Sequence, residues 1–282
     1  MDLTLLINRV NDLPALPEVV IHLNNLLKEN SSSLDNIAAV IEKDAALSSK
    51  VLRLANSSYY GLASQVDSVS RAIIVLGANT VSNVVTSVGV SAIFRDPRKD
   101  ASIDMAGLWM HTLGCAVASK TAMRRKNEQD SERAFVCGIL HDIGKVVIAK
   151  TIPEEQKKIL GLLAADPQKT LLEAESEILG FSHAEIGYAI ARKWRFPDYI
   201  LDSIRYHHNP SAAKISPDIV SAVHLGNAIA KALALGKSTE PRVTAIDAGA
   251  WRQLAIKAVD LPELVNDIQN DFDLAMEFWI LD

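Results

Sequence analysis

The sequence predicts an all-α fold, and three observations carry that prediction. Apolar residues recur at helical spacing almost throughout, and no segment alternates as a half-buried strand does. Aromatic residues make up only 5% of the chain while Ala, Leu, Ile and Val abound, a composition that favours helices over strands. With 282 residues, 49% hydrophobic and 22% charged, the chain can bury a core in one large domain or two modest ones.

The elements follow in order. Residues 15–29 carry Leu16, Val19, Val20, Leu23, Leu26 and Leu27 at helical spacing, with Pro17 tolerated in the first turn. Ser33 or Asp35 caps a second helix running to about Ile41, and Ala45 to Ala55 forms a third. Ser68 opens a short helix with Ala72, Ile73 and Leu76 on one face, and Gly77 stops it. The next helix, about 79–94, is unusually apolar, which predicts a central position. After Phe94 the polar stretch RDPRKDASID marks a boundary between two helical halves, residues 1–97 and 98–282. Longer helices are expected at about 104–125, 131–150, 153–165, 169–179, 183–194, 197–208 and 215–235, with two more within 246–278. Trp194 and Pro197 set a helix–helix corner, and Met105, Met110 and Met123 read as core filler.

Charge and cysteine usage exclude several classes. A net charge of −5 gives no electrostatic case for nucleic-acid or membrane binding. The basic run Arg124-Arg125-Lys126 is followed at once by Glu128, Asp130 and Glu132, and reads as a solvated helix end. Cys115 and Cys137 form no C-x-x-C pair, so they are expected to be buried free thiols. The start MDLTLLINRVNDLPALP has charges at Asp2, Arg9 and Asp12 and no apolar signal core, and the apolar runs are shorter than a membrane span. A cytoplasmic, soluble protein is expected. No glycine-rich phosphate loop or G-x-S-x-G element occurs, which leaves metal chemistry or no chemistry.

Seven histidines focus the question of chemistry: His22, His111, His141, His183, His207, His208 and His224. A histidine taken singly is more often structural than a ligand. His141 and Asp142, however, are adjacent near the end of the apolar segment FVCGILHDIGKVVI. Adjacent helical positions do not share a face, but a group at a bend or helix end receives both. The carboxylate can bridge two cations, and neutral imidazole suits zinc, iron or nickel. Gly144 permits close backbone approach, and Lys145 places a cation where a phosphate oxygen can be clamped. His111 lies on an apolar helix face with Leu108, Cys115 and Ala118. His183 opens a helix whose stripe is Ile186, Ile190 and Trp194, and His207 and His208 end the next one. Imidazoles from separate helices are how helical bundles build metal sites.

GILHDIGK, with a histidine on the preceding helix, resembles the HD superfamily of metal-dependent phosphohydrolases. The stretch HAEIGYAIARKWRFPDYILDSIRYHH is similar to its HD-GYP and HDOD branches. LPALPEVV, DAALSSKVLRLANSSYYG and VDSVSRAIIVLGANTVSNVV resemble the amino-terminal half of HDOD proteins, so the resemblance spans nearly residues 10–235. It implies an amino-terminal helical subdomain packed on an HD-like helical core. It also implies a divalent metal site, for one or two ions of iron, manganese, zinc, nickel or magnesium. His111, His141, Asp142, His183, His207 and His208 match ligand positions, and the late aspartate ligand falls at Asn227, a neutral and weaker oxygen donor. His224, one turn earlier, is a candidate substitute. The continuation His208-Asn209-Pro210-Ser211 lacks the Gly-Tyr-Pro loop of HD-GYP enzymes, so hydrolysis of cyclic di-GMP is not implied. His22 matches no ligand position. Asn56-Ser57-Ser58-Tyr59-Tyr60-Gly61 reads as a helix end with turn chemistry, the alternative being a recognition loop at the seam.

Three functions stay open on the sequence. The first is an HDOD-type signalling or regulatory protein that binds a protein partner or a small phosphorylated ligand. The second is an active metal-dependent phosphohydrolase, in which Asp142 and Lys145 join the chemistry. The third is a purely structural histidine cluster.

Overall fold

The computed structural model describes residues 3, 6–7, 18–28, 33–57, 59–62, 64–94, 103–240 and 242–279. Among the described residues there are helices and connecting turns but no strand. The amino-terminal helices are α1 (Glu18–Lys28), α2 (Leu34–Glu42), α3 (Ala45–Ala55), α4 (Val69–Leu76) and α5 (Ala78–Ser91). Then come α6 (Met105–Lys126), α7 (Ser131–Leu140), α8 (Ile143–Thr151), α9 (Pro153–Ala165), α10 (Leu171–Leu179), α11 (His183–Lys193) and α12 (Asp198–Tyr206). The chain continues with α13 (Pro217–Ala232), α14 (Ala248–Leu254) and α15 (Leu261–Trp279). The start of the first predicted helix, including Pro17, lies outside the described residues, as do Ser58 and the boundary expected at 97/98.

Local chemistry sets most of the helix ends. The side chains of Ser33, Asp44, Ser68 and Asp104 each accept an N–H from the first turn of α2, α3, α4 and α6. Thr170 with Glu173 and Ser182 with Glu185 form reciprocal capping boxes on α10 and α11. Gly77 ends α4 at φ 87°, and the chain turns by 119° there into the next helical run. The expected single helix over 131–150 is instead two, α7 and α8, broken at His141 and Asp142. The structure corrects the sequence here, because the apolar periodicity runs unbroken across the break.

α6 is the central rod, buried on nearly every side from Leu108 to Met123. α13 lies along it with the most extensive contact in the fold, and α7 and α15 pack on its other flanks. α5 is buried from Val81 to Ser91, as its apolar sequence predicts. Apolar residues of both halves, from Val20 to Trp279, form one continuous cluster. Within it the Trp109 ring packs on Phe94 at 5.2 Å and on Trp279 at 6.0 Å, and its Nε1–H donates to the Trp279 carbonyl at 2.7 Å. Among the described residues no single helix is long and apolar enough to cross a membrane.

The NSSYYG segment closes α3 with turn chemistry. Asn56 donates to the carbonyls of Leu52 and Val66, and Ser57 donates to Leu54. Tyr59 and Tyr60 then pack around the Lys120 ammonium of α6, with Nζ 4.4 Å and 5.1 Å from the ring centroids. Glu132 at the start of α7 holds that ammonium at 2.6 Å. Both cysteines are buried free thiols, as expected.

Two glycines bring the helices of the histidine cluster together. Gly138 on α7 sits against the Ala116 backbone of α6, where a Cβ would lie 2.4 Å from Cα. Gly144 on α8 meets α11, where a Cβ would lie 1.9 Å from the His183 carbonyl oxygen. The second contact has no flexible neighbour to yield. Gly144→Ala is expected to destabilise the fold by about 3 kcal/mol or more through overpacking, read as a lower denaturant midpoint at unchanged slope. A midpoint equal to wild type would show that α8 and α11 do not approach this closely.

Candidate metal centre

Four parts of the fold deliver imidazoles to one point. His111 projects from the middle of α6, and His183 is the first residue of α11. His207 and His208 follow the last turn of α12. The break between α7 and α8 supplies the remaining two groups. His141 keeps helical backbone at φ −53°, ψ −37°, while Asp142 departs to φ −102°, ψ 13°. That departure lets both adjacent side chains face one centre, although a continuous helix would separate them by about 100°.

Asp142 lies in the middle. Its Oδ2 is 3.2 Å from His141 Nε2, 3.8 Å from His111 Nε2 and 2.6 Å from Lys145 Nζ. Its Oδ1 is 3.3 Å from His183 Nε2 and 3.7 Å from His207 Nε2. His208 Nε2 is 3.0 Å from His183 Nε2. Two donor sets result, one of His111, His141 and Asp142, the other of Asp142, His183, His207 and His208. Each set gathers its ligand atoms within 4.8 Å of one another, and Asp142 belongs to both.

Three of the far ring nitrogens are anchored, and this fixes which nitrogen of those rings faces the centre. His141 Nδ1–H donates to the Gly138 carbonyl at 2.7 Å, and His207 Nδ1–H to the Ile204 carbonyl at 2.8 Å. His183 Nδ1–H donates to Glu175 Oε2 at 2.7 Å, and the same oxygen accepts the His183 backbone N–H at 2.8 Å. These are the outer hydrogen bonds that orient imidazole ligands and raise their basicity. The inner atoms are another matter. Nε2 of His111, His141 and His207 and Oδ1 of Asp142 are buried and have no hydrogen-bond partner. Leaving a buried polar atom unsatisfied costs about 1–3 kcal/mol each, so four at one point indicate a missing partner. A divalent cation is the partner that accepts lone pairs from imidazole and carboxylate together.

Charge and burial divide the titratable groups of the metal-free centre. Burial raises the Asp142 carboxyl, but His141 and then Lys145 outweigh it and hold it well below the usual range. Burial pulls His141 down, yet Asp142 opposes it and the ring is pushed up to about 10. His183 also rises, with Glu175 and Asp142 overcoming burial. His111 is pulled down to about 3 by burial, and burial with neighbouring imidazoles lowers His207 and His208 as well. The cluster thus holds some rings as imidazolium around Asp142 and others neutral.

Of the residues singled out by sequence, His111, His141, Asp142, His183, His207, His208 and Lys145 all converge here. Lys145 Nζ donates to Asp142 Oδ2 at 2.6 Å. Asn227 is buried on α13, and its Oδ1 has no partner. His224 does not substitute for it. Its Nδ1–H donates to the His207 carbonyl at 2.8 Å and its Nε2 accepts the Asp247 N–H at 2.9 Å, so both ring nitrogens are taken. His22 sits on α1, exposed and outside both donor sets.

Sequence reasoning missed Glu175 and Lys231. Glu175 is 1% exposed on the buried stripe of α10 with Leu171, Ala174 and Leu179, and a carboxylate on an apolar stripe was the available signal. Lys231 lies one turn beyond Asn227 on α13, and nothing local distinguishes it from a surface lysine.

Comparison with known proteins places these features in a family. The HDOD domain family matches residues 13–210. An HDOD domain protein of unknown function from Geobacter sulfurreducens superposes with a TM-score of 0.80 at 23% identity, covering 99% of this chain and 100% of its own. A provisionally named phosphohydrolase from Shewanella amazonensis superposes with a TM-score of 0.74 at 26% identity, covering 97% and 96%. An uncharacterized protein of Treponema pallidum is 28% identical over 226 residues, or 78% of this chain. The matched region spans 42% of that relative's length.

The opposed shifts predict a pH profile for the metal-free chain. His141 and His183, raised in the fold, contribute stability that is complete below about pH 6.5 and is lost as pH rises through their folded values. His111, His207 and His208, lowered in the fold, act in the opposite sense: the unfolded chain takes up their protons below about pH 6.5. Asp142, also lowered, loses its contribution below about pH 4. Thermal melts without metal should therefore peak between about pH 6 and 7. Each neutral imidazole steepens the acid limb by up to about 1.4 kcal/mol per pH unit. A melting temperature that climbs steadily from pH 7 to pH 5 would contradict this assignment.

Proposed function

The chain belongs to the HDOD domain family, and from that premise we propose that it is a regulatory protein built around a divalent-metal centre. His111, His141, Asp142, His183, His207 and His208 hold the metal. One observation carries the reading: inward-facing ligand atoms from six side chains, five of them buried and His208 half-buried, gather at one point, four of the atoms without a hydrogen-bond partner. His141, Asp142, His183 and His207 are 0% exposed, and His111 only 1%. Asp142 offers one oxygen to each donor set, the arrangement that suits a carboxylate bridging two ions. The imidazole-rich set favours iron, zinc, nickel or manganese over magnesium, which prefers oxygen donors.

Enclosure favours regulation over turnover. A metal held this deeply ties α6, the α7–α8 break, α11 and the end of α12 into one body, so its binding free energy becomes folding free energy. The signal is then read on the surface by a protein partner, or at the centre by a small phosphorylated ligand. Asn227 at the late ligand position and the absent Gly-Tyr-Pro loop point the same way. Phosphoester hydrolysis is the second reading, and the ammonium of Lys145 beside Asp142 favours it. A bound divalent ion would supply the Lewis acidity that such chemistry needs. A cytoplasmic location fits either reading.

Metal analysis of protein purified without chelator tests the proposal. One or two equivalents of a divalent transition metal per chain are expected, falling to background in the His141→Ala/Asp142→Ala variant. Phosphodiesters and nucleotides should not turn over above the buffer rate. Metal-free wild type overturns the metal centre, and turnover that disappears in the double variant overturns the regulatory reading in favour of hydrolysis.

A further inference from the structure

A cleft of about 640 Å³ lies on the seam between the two halves and contains none of the ligand residues of the metal centre. One wall is the corner from α4 into α5, and another is the turn that leads into α7. The α5 wall is a set of donors without acceptors. Gly77 precedes the helix and has no side chain to cap it. The first backbone bond runs from the Val81 N–H to the Gly77 carbonyl at 3.1 Å, so the N–H groups of Ala78, Asn79 and Thr80 lie ahead of the helical ladder. Asn83 sits one turn on from Asn79 and Thr80, and helical side chains lean back toward the amino terminus. Asn83 is 8% exposed and lines the cleft, and its Nδ2 has no hydrogen-bond partner. A buried amide donor without an acceptor is costly. Helix end and amide call for the same thing, an acceptor that carries negative charge.

The other wall narrows the class of ligand. It carries the carboxylates of Glu128, Asp130 and Glu132, which a plain anion would meet as repulsion. Two of the three are already engaged. Asp130 holds Arg133 at 2.9 Å and Asn127 at 2.7 Å, and Glu132 holds Lys120 at 2.6 Å. Glu128 is exposed and, among the described residues, enters no ion pair; the Ser131 hydroxyl reaches it at 3.5 Å. A carboxylate open to a cation and a helix end open to an anion, on one cleft, suit a ligand that bears both charges. Val75, 42% exposed, Leu76 and the Tyr60 ring line the same cleft and offer an apolar seat.

We infer that this cleft binds a free α-amino acid with an apolar side chain. Its carboxylate takes the N–H groups of Ala78, Asn79 and Thr80 together with the Asn83 amide. Its ammonium pairs with Glu128, and its side chain lies on Val75, Leu76 and Tyr60. The site stands or falls apart from the metal centre, because the two share no residue.

Leucine is the probe, titrated into the nitrogen-15-labelled full chain. Chemical shifts are followed at the backbone amides of Ala78, Asn79 and Thr80 and at the Asn83 side-chain amide. Leucine should shift all four saturably. Leucinamide, which lacks the carboxylate, should bind about ten-fold or more weakly, and N-acetyl-leucine, which lacks the ammonium, about three-fold or more weakly. Glu128→Gln should weaken leucine about three-fold or more and leave N-acetyl-leucine unchanged. Asn83→Leu should weaken both carboxylates about three-fold or more. Glu128 is exposed, so its variant decides the matter should Asn83→Leu fail to fold. Absent shifts with leucine, leucinamide or N-acetyl-leucine binding as tightly as leucine, or a folded variant that binds leucine as wild type does would each overturn the inference.

Discussion

One buried carboxylate sets the terms for the rest of this fold. Asp142 is 0% exposed, and Nε2 atoms of four histidines lie 3.2 to 3.8 Å from its two oxygens. A lone buried carboxylate is costly in an apolar interior, so its neighbours must offer positive charge, a proton or, with it, a seat for a cation. Lys145 does so directly, and His141 does so by staying protonated. The helix break at residues 141 and 142, the close approach at Gly144 and the Glu175 anchor behind His183 all serve this one atom group.

The same constraint explains why the centre is both strained and specific. Protons alone leave four inner atoms unpartnered, although the outer nitrogens of His141, His183 and His207 are each well held. The rings are fixed in the orientation a cation requires before any cation arrives, which lowers the ordering cost of binding. Burial of five of the six imidazole and carboxylate ligands, Asp142 among them, favours holding a metal over turning over a large substrate. That distinction underlies the regulatory reading.

Much of this was legible in the sequence, and the exceptions share one cause. Helix positions followed from periodicity and caps, as with Ser33, Ser68 and Asp104, because those signals act within four residues. The histidine set was legible because HD-type spacing is a strong pattern. The break at His141 was not visible as a break, because apolar periodicity continues through it and tertiary packing decides it. Glu175, Lys231 and Glu240 lie on other helices or on loops, and their partners are set by how α10, α11 and α13 pack. His224 looked like a spare ligand in one dimension. In three, the His207 carbonyl and the Asp247 N–H occupy both its nitrogens.

The central claim is that Asp142 shares metal between two imidazole sets. Diffraction from crystals of the purified protein, with data collected on both sides of the absorption edge of whichever metal it carries, tests this most directly. The account predicts anomalous density about 2.0–2.2 Å from an Asp142 oxygen and from inward-facing Nε2 atoms of the surrounding histidines. Ordered water or direct hydrogen bonds between Asp142 and those rings, with no anomalous peak, would contradict it.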